Sequence, residues 1–494
     1  MAKTTHAKHG AAHGGHGAQG GKLKISIDPV TRIEGHLKIE VQVENGKVSD
    51  AWATGGMYRG FENILRGRDP RDATQIVQRI CGVCPTAHST ASCLALDDAF
   101  GVKLTTNGRI TRNLIFGANY LQSHILHFYH LAALDYVAGP EVAPFVPRYD
   151  KSDLRLPPEL NKAALDQYLE ALNIRMVAHE MVALFGGKMP HVSGQVVGGS
   201  TEVPSNEKLK KYAERFKKVR QFVEETYLPT VYVIGKAYPD LLQTGHGFKN
   251  CLSYGVFPMD DDGKEMLLPG GVYVNGEFKE LDSDKIREYA KYSWFDDSCT
   301  DLHFSEGKTI PKPGKEGAYS FVKAPRYDGY SCEVGPIARL WVANAELSPV
   351  GKKQLKDLFG IKAKTFRDLG EMAFSLMGRH VARAEESYLV ANAIEGWLKE
   401  VKPGEPVAAE AGPIPDSAEG LGMTEAPRGS LLHYVNIKNG KIDNYQILAA
   451  TLWNFNPRDD FGQRGAVEEA LVGVPVADVQ NPVNVGRLIR AFDP

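Results

Sequence analysis

No apolar run in the chain is long enough to span a bilayer; the richest stretch, Ile125 to Gly139, is interrupted by His127, His130 and Asp135 and reads as a buried helix. Neither sign of charge is in excess: 58 basic residues stand against 60 acidic ones. That balance leaves no electrostatic footprint for nucleic acid or an anionic membrane surface. Cysteine is sparse. Of the six, Cys81, Cys84, Cys93, Cys251, Cys299 and Cys332, only one pair is close in sequence. The spacing excludes a disulfide framework. It also lacks the clustered thiolates of an iron–sulfur centre, so redox work by this chain would need an electron wire on another polypeptide. The first 22 residues lack the apolar core of a secretory signal. Rich in Gly and Ala, with His6, His9, His13 and His16, they read as an unstructured tail; metal binding by the histidines is the weaker alternative.

What is present belongs to a folded chain with a large core: hydrophobic residues make 43% and charged residues 24% of the 494. From Leu23 to Thr54 the pattern is β, with Leu37, Ile39, Val41 and Val43 alternating with polar residues before an Asn45-Gly46 turn. A second hairpin is predicted over Leu432 to Leu448, turning at Asn439-Gly440, and a shorter one at Asn275-Gly276. Between them, apolar positions recur at helical spacing over 71–100, 110–137, 160–185, 206–235 and 352–400. Residues 239–350 read as loops and short strands, 402–420 as an exposed Pro-rich connection, and Val467 to Val472 as a last short helix. The expected fold is mainly α with small β elements (α+β): a long-helix core with β-hairpins near both chain ends. Residues 23–494 are expected to form a single catalytic domain.

The sharpest local feature is Arg79-Ile80-Cys81-Gly82-Val83-Cys84-Pro85-Thr86-Ala87-His88. Two cysteines three positions apart can direct both sulfurs at one soft metal, with Gly82 easing the backbone between them. Alone, such a pair is equally half a zinc site, a redox dithiol or half of another thiolate site. A closed zinc site wants four ligands and no second such pair follows. A thioredoxin-like motif would follow a strand in a βαβ unit, and that context is missing.

The surroundings carry a resemblance. DPVTRIEGHLKIEV at 28–41, GGMYRGFENILRGRDP at 55–70, QRICGVCPTAHS at 78–89, EAPRGSLLHY at 425–434 and NPVNVGRLIRAFDP at 481–494 resemble the successive blocks of nickel–iron hydrogenase large subunits, in order and spacing. Asn119 to Leu131 is similar to the nickel–iron–selenium branch. The match runs from about Ile25 to Pro494. In that family the Phe-Asp-Pro is followed by cysteine or selenocysteine, a second cysteine and a histidine. The sequence here stops at Phe492-Asp493-Pro494, which gives the expectation that the natural chain continues past a selenocysteine codon read as stop. The enzyme would be active only with that further motif.

The resemblance implies reversible heterolytic oxidation of dihydrogen at a nickel–iron centre whose iron carries carbon monoxide and cyanide. Cys81 matches the terminal nickel ligand and Cys84 the thiolate bridging the metals. His88, one helical turn beyond Cys84, would reach back to the bridging sulfur. Glu34 matches the proton-relay glutamate, a role that suits a carboxyl whose pKa burial has moved; a turn carboxylate bonded to Arg32 is the plainer reading. Glu62 matches a ligand of a separate hard cation, magnesium or iron, together with the carbonyl of Ile447, itself equally well an ordinary core strand residue. Glu333 is a looser candidate for supporting that cation. Arg428 matches the arginine over the open face of the metals, and Asp493 the aspartate beside it. Ser123 stands where many members have a further aspartate.

The implied partners are an iron–sulfur small subunit in a heterodimer and an electron acceptor such as a cytochrome. The implied location is the periplasm, reached with the small subunit, with the cytoplasm as alternative. A hydrogen-sensing or ligand-poor homologous subunit without fast turnover is the rival function, and a structural zinc protein a further one. Retention of both Cys81 and Cys84 speaks against the ligand-poor form.

Overall fold

The computed structural model describes residues 22–139, 142, 143, 145, 146 and 153–494. Apart from Lys22, the His-rich tail expected over 1–22 lies outside the described residues. At the N-terminal end β1 (Leu23–Ile27), β2 (Leu37–Glu44) and β3 (Lys47–Gly55) form an antiparallel sheet in that order. Leu37, Ile39, Val41 and Val43 bury one face while their neighbours stay half exposed. Asn45 and Gly46 both adopt positive φ, 52° and 72°, as a two-residue hairpin turn requires.

The helical body follows, with α1 (Phe61–Leu65), α2 (Pro85–Ala99), α3 (Thr106–Leu126), α4 (Pro158–Gly186), α5 (Asn206–Phe222) and α6 (Leu228–Ala237). After a small hairpin, β4 (Gly271–Val274) and β5 (Glu277–Lys279), come α7 (Pro336–Ala343) and α8 (Leu376–Glu400). Caps set several helix starts: the side chains of Thr105, Ser205 and Ser375 accept the N–H of Gly108, Lys208 and Gly378. From Asn107 to Leu126 every residue of α3 is buried, so this helix is packed on all sides, and α8 lies against it.

At the C-terminal end β6 (Ser417–Ala426), β7 (Gly429–Lys438) and β8 (Lys441–Leu448) form a second antiparallel sheet, followed by α9 (Ala466–Leu471) and α10 (Val483–Phe492). α2 lies across β6 and β7 at very close range. A Cβ at Gly420 would stand 2.0 Å from the Ala95 carbonyl oxygen, and one at Gly422 2.0 Å from that of Ala91. Only glycine allows that approach. Glu468 of α9 ties this end to the first sheet: its buried carboxylate accepts the Ala53 N–H at 2.9 Å, the Tyr319 hydroxyl at 2.8 Å and the Gly465 N–H at 3.2 Å.

The α+β architecture and all three predicted hairpins are present. Five readings need correction. The helix expected over 71–100 is broken at the cysteine pair: Cys81 is extended, and α2 starts only at Pro85, whose ring suits a first helical position and disfavours helix in the residue before it. The helix expected over 352–400 is interrupted by Gly360 and Gly370, at φ 71° and 54°, so that α8 begins at Leu376. The Pro-rich connection at 402–420 ends early, because Ser417 already pairs with Lys438 as the start of β6. Finally, α7 lies within the stretch read as loops and strands, and α10 follows the helix read as the last.

Candidate metal centre

Cys81 and Cys84 sit in the link before α2, 7% and 6% exposed. The Cys84 N–H donates to the Cys81 sulfur at 3.1 Å, folding the link back on itself. Arg59 pins the approach from outside, donating to the carbonyls of Arg79, at 2.9 Å, and Ile80. The two thiols titrate unequally. The hydrogen bond from the Cys84 thiol, and then the positive field of Arg428, hold Cys81 below its ordinary pKa. The same bond, with burial, pushes Cys84 well above its own.

Arg428 reaches this pair from the two-residue link between β6 and β7. The docking of α2 on those strands is therefore what brings the arginine to the cysteines. Its Nη2 pairs with Asp493 Oδ1 at 2.9 Å and its Nη1 lies 3.4 Å from Ser123 Oγ. Burial opposes the charge, but Asp493, Cys84 and Cys81 outweigh it and raise the guanidinium pKa. Asp493, in a left-handed conformation (φ 63°), ends α10 and turns the chain. Arg383 of α8 flanks it, Nε to Oδ2 at 4.0 Å, and also donates to the Ala491 carbonyl at 3.1 Å. Arg428 Nε and Nη2 and Asp493 Oδ2 are buried with no aligned hydrogen bond, so Asp493 holds the guanidinium as an ion pair.

Glu34 enters from the turn between β1 and β2. Its Oε1 accepts the N–H of Gly82, inside the cysteine pair, at 3.5 Å, and its own N–H donates to the Pro494 carbonyl at 3.3 Å. The plainer reading does not hold, because Arg32 is turned elsewhere, to Asp135 and to the Leu131 carbonyl. The burial expected of a relay carboxyl is absent too: in this chain alone Glu34 is exposed.

His88 lies on α2, buried, with Nδ1 3.1 Å from Nε2 of His433. That chain continues to the Tyr445 hydroxyl at 2.8 Å and Ser92 at 3.1 Å. Burial, with Arg59 adding, lowers the His88 pKa to about 3, so it is neutral at ordinary pH. Its Nδ1 is engaged by His433.

Glu62 lies on α1, beside β8, which carries Ile447; Gly67 and Ile442 stitch the two segments with a 2.8 Å hydrogen bond. Burial raises the Glu62 carboxyl above the ordinary range, and Glu288 adds to this. The positive charge acting on it, Lys323, is already paired with Glu288 at 2.6 Å. Glu333 is occupied differently: Arg379 grips both its oxygens at 2.8 Å.

The residues that sequence reasoning missed are Arg59, Arg383 and His433. Arg383 had a signal, standing with Arg379 and Glu386 at helical spacing inside an otherwise apolar stripe of α8. The donor set fits a soft transition-metal centre, with two buried sulfurs and a permanent cation that has a spare N–H beside them. Among the described residues no group of three or more His, Cys, Asp or Glu is arranged for a metal.

Comparison with known proteins gives this geometry its class. A family model described as nickel-dependent hydrogenase matches residues 59–142 and 137–494, and one described as HoxL-like matches 24–53. The chain belongs to the nickel-dependent hydrogenase family, as its large, catalytic subunit. Within it, the chain is similar to the periplasmic [NiFeSe] hydrogenase large subunit of Desulfomicrobium baculatum, 64% identical with 97% of this chain and 94% of that one covered. It is also similar to the hydrogenase-2 large chain of Escherichia coli K12, at 35% identity over 95% of this chain and 96% of that one. Its structure matches that of the Ni-Fe-Se hydrogenase from D. vulgaris Hildenborough with a TM-score of 0.95 and 71% identity, covering 96% and 98% of the two chains.

Proposed function

We propose that Cys81 and Cys84 would hold a nickel–iron centre as two of its thiolate ligands, in one catalytic unit spanning 23–494. When bound, the centre, its iron carrying carbon monoxide and cyanide, supplies the polarised site at which dihydrogen is split heterolytically into two protons and two electrons. The protein supplies the rest. Arg428 presents a fixed positive charge and its free Nε–H to the open side, and Asp493 holds it there. Glu34, one hydrogen bond from the cysteine link, takes up the released proton and passes it outward. His88 stays neutral and orders the wall beside Cys84 through His433. Glu62 and the Ile447 carbonyl hold a separate magnesium or iron ion, bracing α1 against β8.

The centre would take further soft ligands beside these two sulfurs. The Pro494 carbonyl accepts the Glu34 N–H and the Glu34 side chain accepts the Gly82 N–H, so the end of α10, the Glu34 turn and the cysteine link meet in one place. Electrons leave through an iron–sulfur small subunit to an acceptor such as a cytochrome. The relative from D. baculatum is a periplasmic enzyme, and we place this chain there too, carried with its partner. Among the described residues no helix is long and apolar enough to cross a membrane.

The observation that carries the reading is the approach of Arg428, unsatisfied at Nε, to a buried thiol pair whose charge it stabilises. The test is metal analysis and hydrogen turnover of the purified two-subunit protein. Nickel and iron together with fast turnover are expected; zinc alone, or no metal, overturns the reading.

A further inference from the structure

Arg428 occupies half of a two-residue hairpin link, and the carbonyls leading into it are buried where water cannot serve them. They are served by one side chain. Arg339, on α7 and fully buried, donates Nη1–H to the Ala426 carbonyl at 3.0 Å and Nη2–H to the Pro427 carbonyl at 2.9 Å. Its three remaining donors are also used: Nε and Nη2 clasp the two oxygens of Glu386 at 2.5 and 2.7 Å, and Nη1 meets Glu425 Oε2 at 2.8 Å. All five N–H groups of the guanidinium are satisfied.

The anchors are themselves fixed. Glu386, on α8, pairs with His124 Nε2 at 2.7 Å, and His124 is the residue after Ser123, whose hydroxyl meets Arg428. Glu425 Oε1 accepts the Tyr254 N–H at 2.7 Å and the Ser430 hydroxyl at 2.5 Å. The side chain of Arg428 is the opposite case, bonded at one end and free at Nε. Its aim therefore depends on the backbone from which it springs.

We propose that Arg339 is a positioning residue for Arg428: by clamping the Ala426 and Pro427 carbonyls between α7, α8 and β6, it fixes the direction from which the Arg428 guanidinium faces the cysteine pair. A planar fork is needed. Lysine at 339 would place a point charge with three donors in a site that uses five, in two directions. The inference rests on the nickel–iron reading above, since it is there that the aim of Arg428 has a chemical consequence.

The test uses the assembled two-subunit holoenzyme carrying Arg339→Lys, with metal content, infrared stretches of the diatomic ligands on iron, and hydrogen-oxidation kinetics read together. Nickel and iron at wild-type levels are expected, with shifted cyanide stretches, kcat lower by about 10- to 100-fold and KM for dihydrogen within about twofold, as for a catalytic group misplaced by a fraction of an ångström to an ångström. Wild-type stretches and wild-type kcat in the loaded variant overturn the proposal. Should Arg339→Lys not assemble, Glu386→Gln carries the test, weakening one anchor while leaving both carbonyl bonds available. Cyanide stretches displaced in that variant, with kcat reduced by a smaller factor, support the clamp; unmoved stretches overturn it. Absence of nickel, iron and infrared bands from the wild-type holoenzyme would instead sink the metal reading itself.

Discussion

Two regions meet at the cysteine pair, and they are built by opposite means. On one side is a wall: α2 pressed on β6 and β7 through Gly420 and Gly422, with Arg428 at the strand link, Asp493 against it and Arg339 behind. Its polar groups are buried, with Arg339 fully bonded and Arg428 free at Nε. On the other side is Glu34, exposed in this chain alone, with one side-chain hydrogen bond from Gly82 and one backbone hydrogen bond to Pro494. The wall fixes charge in place, as electrostatic preorganisation demands. The turn leaves a carboxyl in reach of both the centre and the outside, as a proton carrier demands. Rigidity and access are separated in space.

That contrast can be broken chemically on the turn and mechanically on the wall. The largest effect is expected from Glu34→Gln, which keeps the shape and the acceptor oxygen toward Gly82 but cannot carry a proton. Hydrogen turnover should fall by about 10³-fold with nickel and iron content unchanged. Normal turnover in the loaded variant would remove Glu34 from the mechanism.

Next comes a pH effect from the buried side. Burial raises the Glu468 carboxyl from the ordinary 4.5 to about 7, against the bonds from Ala53, Tyr319 and Gly465. A folded-state pKa above the unfolded value means stability that is fully present below about pH 4.5 and is lost as pH rises to about 7. The loss is about 3 kcal/mol. Glu468→Gln should flatten that part of the profile, read from urea midpoints at pH values on either side of this window. A Glu468→Gln profile that runs parallel to the wild type across this window contradicts the assignment.

The smallest effect compares two glycines directly. Gly422→Ala must displace backbone, because its Cβ would lie 2.0 Å from the Ala91 oxygen, and should cost about 2 kcal/mol by thermal unfolding. Gly35→Ala, in the turn, meets nothing within 4 Å and carries only the strain of φ 87°, about 1 kcal/mol. Equal losses would mean that the wall is no more tightly determined than the turn.

The same contrast explains what the sequence disclosed. Hairpins announced by Asn-Gly were read correctly because the turn chemistry is local, as at Asn45-Gly46 and Asn439-Gly440. The cysteine pair and Arg428 were legible from motif wording. Their juxtaposition was not, since it depends on α2 docking on β6 and β7, a contact across more than three hundred residues. Pro85 ended the expected helix where the pair needed a link, a local signal that periodicity overrode. The exposure of Glu34 and the turning of His88 to His433 are tertiary facts with no local signature. Arg339 looks in sequence like an ordinary helix-surface charge; only burial reveals it as part of the site.

The most direct measurement is nickel-edge X-ray absorption of the holoenzyme, beside the Cys81→Ser variant. Sulfur bound to nickel is expected in the wild type, with loss of a sulfur ligand or of nickel altogether when Cys81 is changed. Nickel surrounded by nitrogen and oxygen alone, or a spectrum indifferent to Cys81, would contradict the account.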